Sequence, residues 1–202
     1  WRRTSILFDC YPHNPTGAGA TRAHHERLFS LAKEHGFLVV CDEPYVDLYA
    51  DAPPHTGLAI ARQIAPDNVL VIHSLSKRSG MTGYRSGFVA GDARLMKQFL
   101  LYRTYHGSAM SPVVQAASIA AWGDEQHVVE NRALYRAKFT EVTPLLAAVL
   151  DVRLPDAGFY LWADVGESDT AFARDLLAQY NVTVLPGSYL ARESAGTNPG
   201  AF

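Results

Sequence analysis

Ser74-Leu75-Ser76-Lys77-Arg78-Ser79-Gly80-Met81-Thr82-Gly83-Tyr84-Arg85-Ser86-Gly87 is the stretch on which both the fold and the chemistry turn. A run of β-type apolar residues, Val69-Leu70-Val71-Ile72, leads into it. A strand that ends in a small, hydroxyl- and glycine-rich loop builds sites. Lys77 lies among hydroxyls, and Arg85 follows eight residues later. Hydroxyls and a guanidinium suit a phosphate, which takes short charge-assisted hydrogen bonds. The plainer reading is a basic surface loop after a strand, and the loop alone leaves both open.

Two earlier stretches bear on the choice. Ser5-Ile6-Leu7-Phe8-Asp9-Cys10 reads as a short, mostly buried strand. It stops at Tyr11-Pro12-His13-Asn14-Pro15-Thr16-Gly17, a loop with two prolines and a glycine. Asn14-Pro15-Thr16-Gly17 is either a tight turn or a rigid loop that aims the Asn14 amide at a ligand. Thr21 to Gly36 has an apolar stripe of Leu28, Phe29, Leu31 and Ala32 and predicts a helix that Gly36 ends. Phe37-Leu38-Val39-Val40-Cys41 is then a near-continuous apolar run, as in a strand covered on both faces. Strand, helix and strand at this length form a βαβ unit, so the two strands are expected to be parallel.

The second strand delivers Asp42-Glu43-Pro44-Tyr45 at its C-terminal end, where open α/β sheets bind ligands. A carboxylate leaving a buried strand needs a cationic or hydrogen-bonding partner. Asp42 is either a structural group, such as a helix cap or an ion pair, or the partner of a protonated ring nitrogen. Pyridoxal phosphate has such a nitrogen, an aldehyde for Lys77 and a phosphate for the hydroxyls. Tyr45 is either a half-buried aromatic or a donor to the phenolic oxygen of that cofactor. Leu58 to Ile64 reads as a short helix, and Pro66-Asp67-Asn68 turns into the Val69 strand. Asn14, Asp42 and Ser74 to Lys77 thus each sit just past a strand. Parallel strands end on one side, so the three features are expected to converge.

After the lysine loop, Gly87 to Ala90 reads as a strand, and Asp92 caps a helix to about Tyr105. His106 to Pro112 breaks it. A second helix runs through Ala121 and a long third one from about Glu125 to Leu150, with Pro144 as a kink or boundary. Phe159-Tyr160-Leu161-Trp162 and Val182-Thr183-Val184-Leu185 read as strands around a helix at Asp169 to Tyr180, a smaller α+β unit. The expected division is 1–125 as part of a large domain and 126–202 as a small C-terminal domain.

Composition excludes several function classes. The formal net charge of -2 makes no electrostatic case for nucleic acid or an acidic membrane. No apolar run approaches the ~20 residues of a membrane helix, and the opening residues do not read as a signal peptide. The eight histidines are scattered, and no Cys/His cluster has zinc spacing. His24 and His25, adjacent on a helix, are expected to point to different sides. Cys10 and Cys41 lie in apolar runs and read as free thiols in a reducing compartment. The start at Trp1-Arg2-Arg3 and the end at Asn198 to Phe202 read as those of a segment of a longer polypeptide.

Asn14-Pro15-Thr16-Gly17, Asp42 with Tyr45, Ser74-Leu75-Ser76-Lys77 and Arg85 resemble, in order and spacing, the motif set of the class I/II aminotransferases. These are fold-type I pyridoxal-phosphate enzymes, and the resemblance covers the whole chain. It implies an α/β fold with a mostly parallel sheet and flanking helices, followed by a smaller α+β domain. It implies that Lys77 forms the Schiff base and moves the proton, and that Asp42 pairs with the pyridine nitrogen. Asn14 and Tyr45 would bond the phenolic oxygen, and Ser74 and Arg85 would hold the phosphate. It also implies a cytoplasmic homodimer acting on small amino and keto acids.

Tyr102-Arg103-Thr104-Tyr105-His106-Gly107, Met110-Ser111-Pro112 and Leu185 to Arg192 are similar to the N-succinyldiaminopimelate aminotransferases of lysine biosynthesis. That resemblance implies glutamate as donor and N-succinyl-2-amino-6-ketopimelate as acceptor. The family's α-carboxylate arginine is expected beyond Phe202, and its glycine-rich phosphate turn and stacking aromatic before Trp1. Arg192 reads as a surface arginine. Three other readings stay open. One is a β-lyase, decarboxylase or synthase on the same fold. Another is the effector domain of a transcription regulator, and the last an α/β domain without cofactor.

Overall fold

The computed structural model describes residues 3–64, 67–166 and 168–200. The turn expected at Pro66 lies outside them. The chain divides into two compact units, one of residues 1–140 with 154–161 and the other of 141–153 with 162–202.

The first unit is built on a four-stranded sheet in the order β1 (Ile6–Cys10), β2 (Leu38–Asp42), β3 (Val69–Ser74) and β4 (Gly87–Gly91). The first three strands are parallel, with Cys10 opposite Asp42 and Asp42 opposite Ile72. β4 runs antiparallel to β3, with Ser74 opposite Gly87. Helix α1 (Arg22–His35) links β1 to β2, and α2 (Gly57–Ile64) precedes β3. Thr21 caps α1 by accepting from the His24 amide at 3.1 Å, and Gly36 closes it in the left-handed conformation. Leu28, Phe29 and Ala32 of α1 and Ile60 and Ala61 of α2 pack on Val39, Cys41, Val69 and Val71. The alternation along β2 and β3 points these side chains to the helices.

β1 departs from the expectation of burial. Asp9 is buried, but Ile6 is half exposed and Phe8 is 70% exposed. It is an edge strand, and among the described residues nothing covers its second face. His24 and His25 also depart from expectation, because both rings reach the buried Asp9 carboxylate, at 3.0 and 3.4 Å. Successive residues on a helix diverge by ~100°, and two imidazoles are long enough to flank one carboxylate across that angle.

After β3, the single turn α3 (Leu75–Arg78) and a 3-10 turn at Thr82–Tyr84 lead to β4. Helices α4 (Ala93–Tyr105), α5 (Pro112–Gly123) and α6 (Gln126–Ala147) follow, and α6 continues through Pro144. In the second unit, Asp151–Val152 (β5) pairs antiparallel with Ala163–Asp164 (β6). Helix α7 (Asp169–Tyr180) and a 3-10 turn at Gly187–Tyr189 complete it. Neither Phe159–Trp162 nor Val182–Leu185 forms a strand. A strand needs a hydrogen-bonded neighbour as well as β-type residues, and among the described residues neither segment has one. Among the described residues no helix is long and apolar enough to cross a membrane.

Candidate active site

Lys77 lies in α3, the turn that follows β3. Ser74 caps this turn, its hydroxyl accepting from the Ser76 amide at 3.3 Å. The turn is tied down by amide bonds from Leu75 to the Ser86 carbonyl at 3.1 Å and from Met81 to the Leu75 carbonyl at 3.3 Å. The Thr82 hydroxyl donates to the Ser76 carbonyl at 3.1 Å. Lys77 Nζ stands 5.7 Å from the Tyr45 ring centre and 5.2 Å from that of Phe159. Among the described residues no carboxylate pairs with it.

Tyr45 is buried, and its hydroxyl lies 3.1 Å from that of Tyr160. Burial and the Tyr160 hydroxyl push the Tyr45 phenol well above its ordinary range, so it stays a proton donor at neutral pH. Asp42 ends β2 beside Cys10. Desolvation raises its carboxyl, and among the described residues it meets no hydrogen-bond or ion-pair partner. A desolvated carboxylate without a cation fits a protonated ring nitrogen, which would supply the missing charge.

Ser74 and Arg85 line one cleft together with Ser76 and Ser86. Because the Ser74 hydroxyl already accepts an amide, its own hydrogen remains free to donate. Arg85 has a left-handed backbone with φ 52° and gives Nη1 to the Thr82 carbonyl at 3.1 Å. A guanidinium has five N–H donors, so several are left for an anion. This donor set fits a phosphate. Asn14 is exposed, in a loop closed by amide bonds from His13 to Ala18 and from Gly17 to His13, both 2.8 Å. The structure therefore brings Lys77 to Tyr45, Ser74 to Arg85, and Asp42 to the end of the strand before the Asn14 loop. It joins the Asn14 side chain to none of the other five.

Sequence reasoning missed Phe159 and Tyr160, which it took as strand residues. Their signal was an aromatic pair directly after Gly158, whose φ of +96° turns the chain beside Tyr45. It also missed Asp47, whose carboxylate meets both His73 and Arg78. Nothing local marks a carboxylate as the meeting point of two residues about thirty positions away.

The family model described as aminotransferase class I and II matches residues 2–196. The chain belongs to that family. Among its relatives, a probable aminotransferase of Mycobacterium tuberculosis is 36% identical over 198 residues, 92% of this chain and 44% of its own length. An LL-diaminopimelate aminotransferase of Nitratidesulfovibrio vulgaris is 33% identical over 93% of this chain and 50% of its own. The crystal structure of an aminotransferase from Neisseria meningitidis superposes with a TM-score of 0.95 at 50% identity, over 100% of this chain and 52% of that one. A probable N-succinyldiaminopimelate aminotransferase from Thermus thermophilus superposes with a TM-score of 0.83 at 28% identity, over 100% of this chain and 53% of that one. The chain spans about half the length of the relatives it matches.

Proposed function

We propose that the protein carrying this chain is a pyridoxal-phosphate-dependent aminotransferase that exchanges an amino group between glutamate or 2-oxoglutarate and a second amino or keto acid. The observation that carries this reading is the uncompensated Asp42 carboxylate at the end of β2, next to the strand that presents Lys77 over Tyr45. N-succinyl-2-amino-6-ketopimelate, in lysine biosynthesis, is the proposed acceptor. Its support is the likeness to the Thermus thermophilus structure and to diaminopimelate aminotransferases.

When bound, pyridoxal phosphate supplies an aldehyde for an amine and a ring that accepts an electron pair. Lys77 would hold the cofactor through Nζ. Its amine, when free, would take the proton from the substrate α-carbon and serve as the proton carrier of the exchange. Asp42 would keep the ring nitrogen protonated. Tyr45 and Asn14 would bond the phenolic oxygen, while Ser74 and Arg85 would hold the phosphate. The two half-reactions give ping-pong kinetics. A cytoplasmic homodimer completes the proposal, and the free thiols Cys10 and Cys41 suit a reducing compartment.

Reduction of the full-length protein with borohydride in the presence of pyridoxal phosphate, followed by peptide mapping, tests the assignment. A pyridoxyl group on Lys77 is expected. No adduct, or one on another lysine, overturns it. A keto-acid screen starting with 2-oxoglutarate then separates transamination from lyase or decarboxylase chemistry, which needs no keto acid.

A further inference from the structure

One carboxylate oxygen is bound to both flanks of the Lys77 turn. His73, the last residue but one of β3, lies 2.9 Å through Nε2 from Asp47 Oδ2. Arg78, directly after Lys77, donates Nη1 to the same oxygen at 3.1 Å and Nη2 to Glu125. The Ser74 amide donates to His73 Nδ1 at 2.9 Å. Nδ1 is thus the acceptor, Nε2 carries the hydrogen, and that hydrogen points at Asp47. The Trp122 ring packs 5.5 Å from the His73 ring and 5.2 Å from Arg78 Cζ. Asp47 is itself anchored, since Arg132 donates Nη1 to its backbone carbonyl at 3.0 Å.

We propose that Asp47 is a positioning residue for Lys77, pinning His73 before the turn and Arg78 after it to one oxygen so that the amine is presented at a set place over Tyr45. The inference rests on Lys77 being the reactive lysine. Asp47 touches neither the amine nor anything bound to it and acts through its two neighbours. The Arg78 side chain is only 6% exposed, and a guanidinium so enclosed stays in place only while its anions do. The same short segment carries Tyr45 two residues earlier, so the lysine and the ring beneath it share one anchor. Outer groups that hold a reactive side chain typically matter by about 10- to 100-fold when removed.

The test compares Asp47→Ala and Asp47→Asn in the full-length protein. Turnover is expressed per bound pyridoxal phosphate, and the His73 nitrogens are observed by 15N NMR in cofactor-free protein. Asp47→Ala is expected to lose about tenfold or more in kcat, with KM for glutamate within about twofold. Its His73 Nε2 signal should shift as the hydrogen bond to Asp47 is lost, while the Ser74 amide keeps the tautomer. Asp47→Asn keeps an accepting oxygen without the charge and should lose about threefold in kcat. An unchanged kcat per bound cofactor in a folded Asp47→Ala protein, or an unshifted His73 Nε2 signal, overturns the inference. Should Asp47→Ala not fold, an unchanged kcat in Asp47→Asn overturns it equally. An unsubstituted protein without an adduct on Lys77 overturns the reactive-lysine assignment, and this inference with it, before any variant is made.

Discussion

Asp42 and Glu43 are neighbours at one strand end with opposite surroundings. Asp42 is half-buried without a partner among the described residues, whereas Glu43 is buried and accepts the Gly57 amide through Oε1 at 2.5 Å. Burial pushes the Glu43 carboxyl from its ordinary 4.5 to about 7, against the lowering effect of that amide. A carboxyl raised this far costs roughly 3 kcal/mol of stability when ionised. The contribution is absent below the ordinary value, where folded and unfolded chains are both protonated. It grows as pH rises and is complete above about 7. Glu43→Gln should therefore gain roughly 3 kcal/mol at about pH 8 and almost nothing at about pH 4, read by urea unfolding at both. Under the proposed function, Lys77→Ala should retain the fold by circular dichroism and show no steady-state transamination. Asp42→Ala should slow the half-reaction about 100-fold or more while changing cofactor affinity far less, as stopped-flow and equilibrium titration would show. An unchanged rate would remove Asp42 from its role.

At the scale of elements, the Asn14 loop is held by a glycine that cannot be replaced. Gly17 has φ +71°, and a Cβ there would fall 2.7 Å from the Ala157 carbonyl oxygen and closer still to the Pro155 side chain. The Gly17 carbonyl also accepts the Ala157 amide at 3.0 Å. Gly17→Ala combines left-handed strain with a backbone clash and should cost about 2 to 4 kcal/mol, measured as a shift in the urea midpoint at constant slope. Helix α1 was legible from Thr21 to Gly36 because its caps and apolar stripe are local. β2 and β3 were legible because covered strands carry unbroken apolar runs. Val182–Leu185 misled because β-type residues state a capacity for pairing, and pairing is decided by what lies alongside.

The whole chain leaves apolar side chains in water. Val113 and Ile119 of α5 are 76% and 75% exposed, and Leu100 and Tyr105 of α4 are also exposed. Exposed apolar side chains in this number favour association. The 202-residue chain by itself is expected to sediment as species larger than a monomer and to bind an apolar dye; a monodisperse monomer would contradict this. Burial along a helix was the least legible property, since Val129, Leu134 and Leu145 of α6 are apolar yet all three are exposed. An apolar side chain tends to avoid water, and only the neighbouring elements say whether anything covers it.

The sequence by itself determined the parallel β1–β2–β3 core, the placing of Asn14, Asp42 and Lys77 at or just past strand ends, and the family. Those features follow from periodicities, caps and motifs written within a few residues of one another. The antiparallel return of β4, the Tyr45–Tyr160 bond, the meeting of His24 and His25 on Asp9, and the pinning of His73 and Arg78 by Asp47 were decided by the tertiary structure. Each joins residues whose contact depends on how separate elements pack, and a buried carboxylate takes whichever donors that packing delivers.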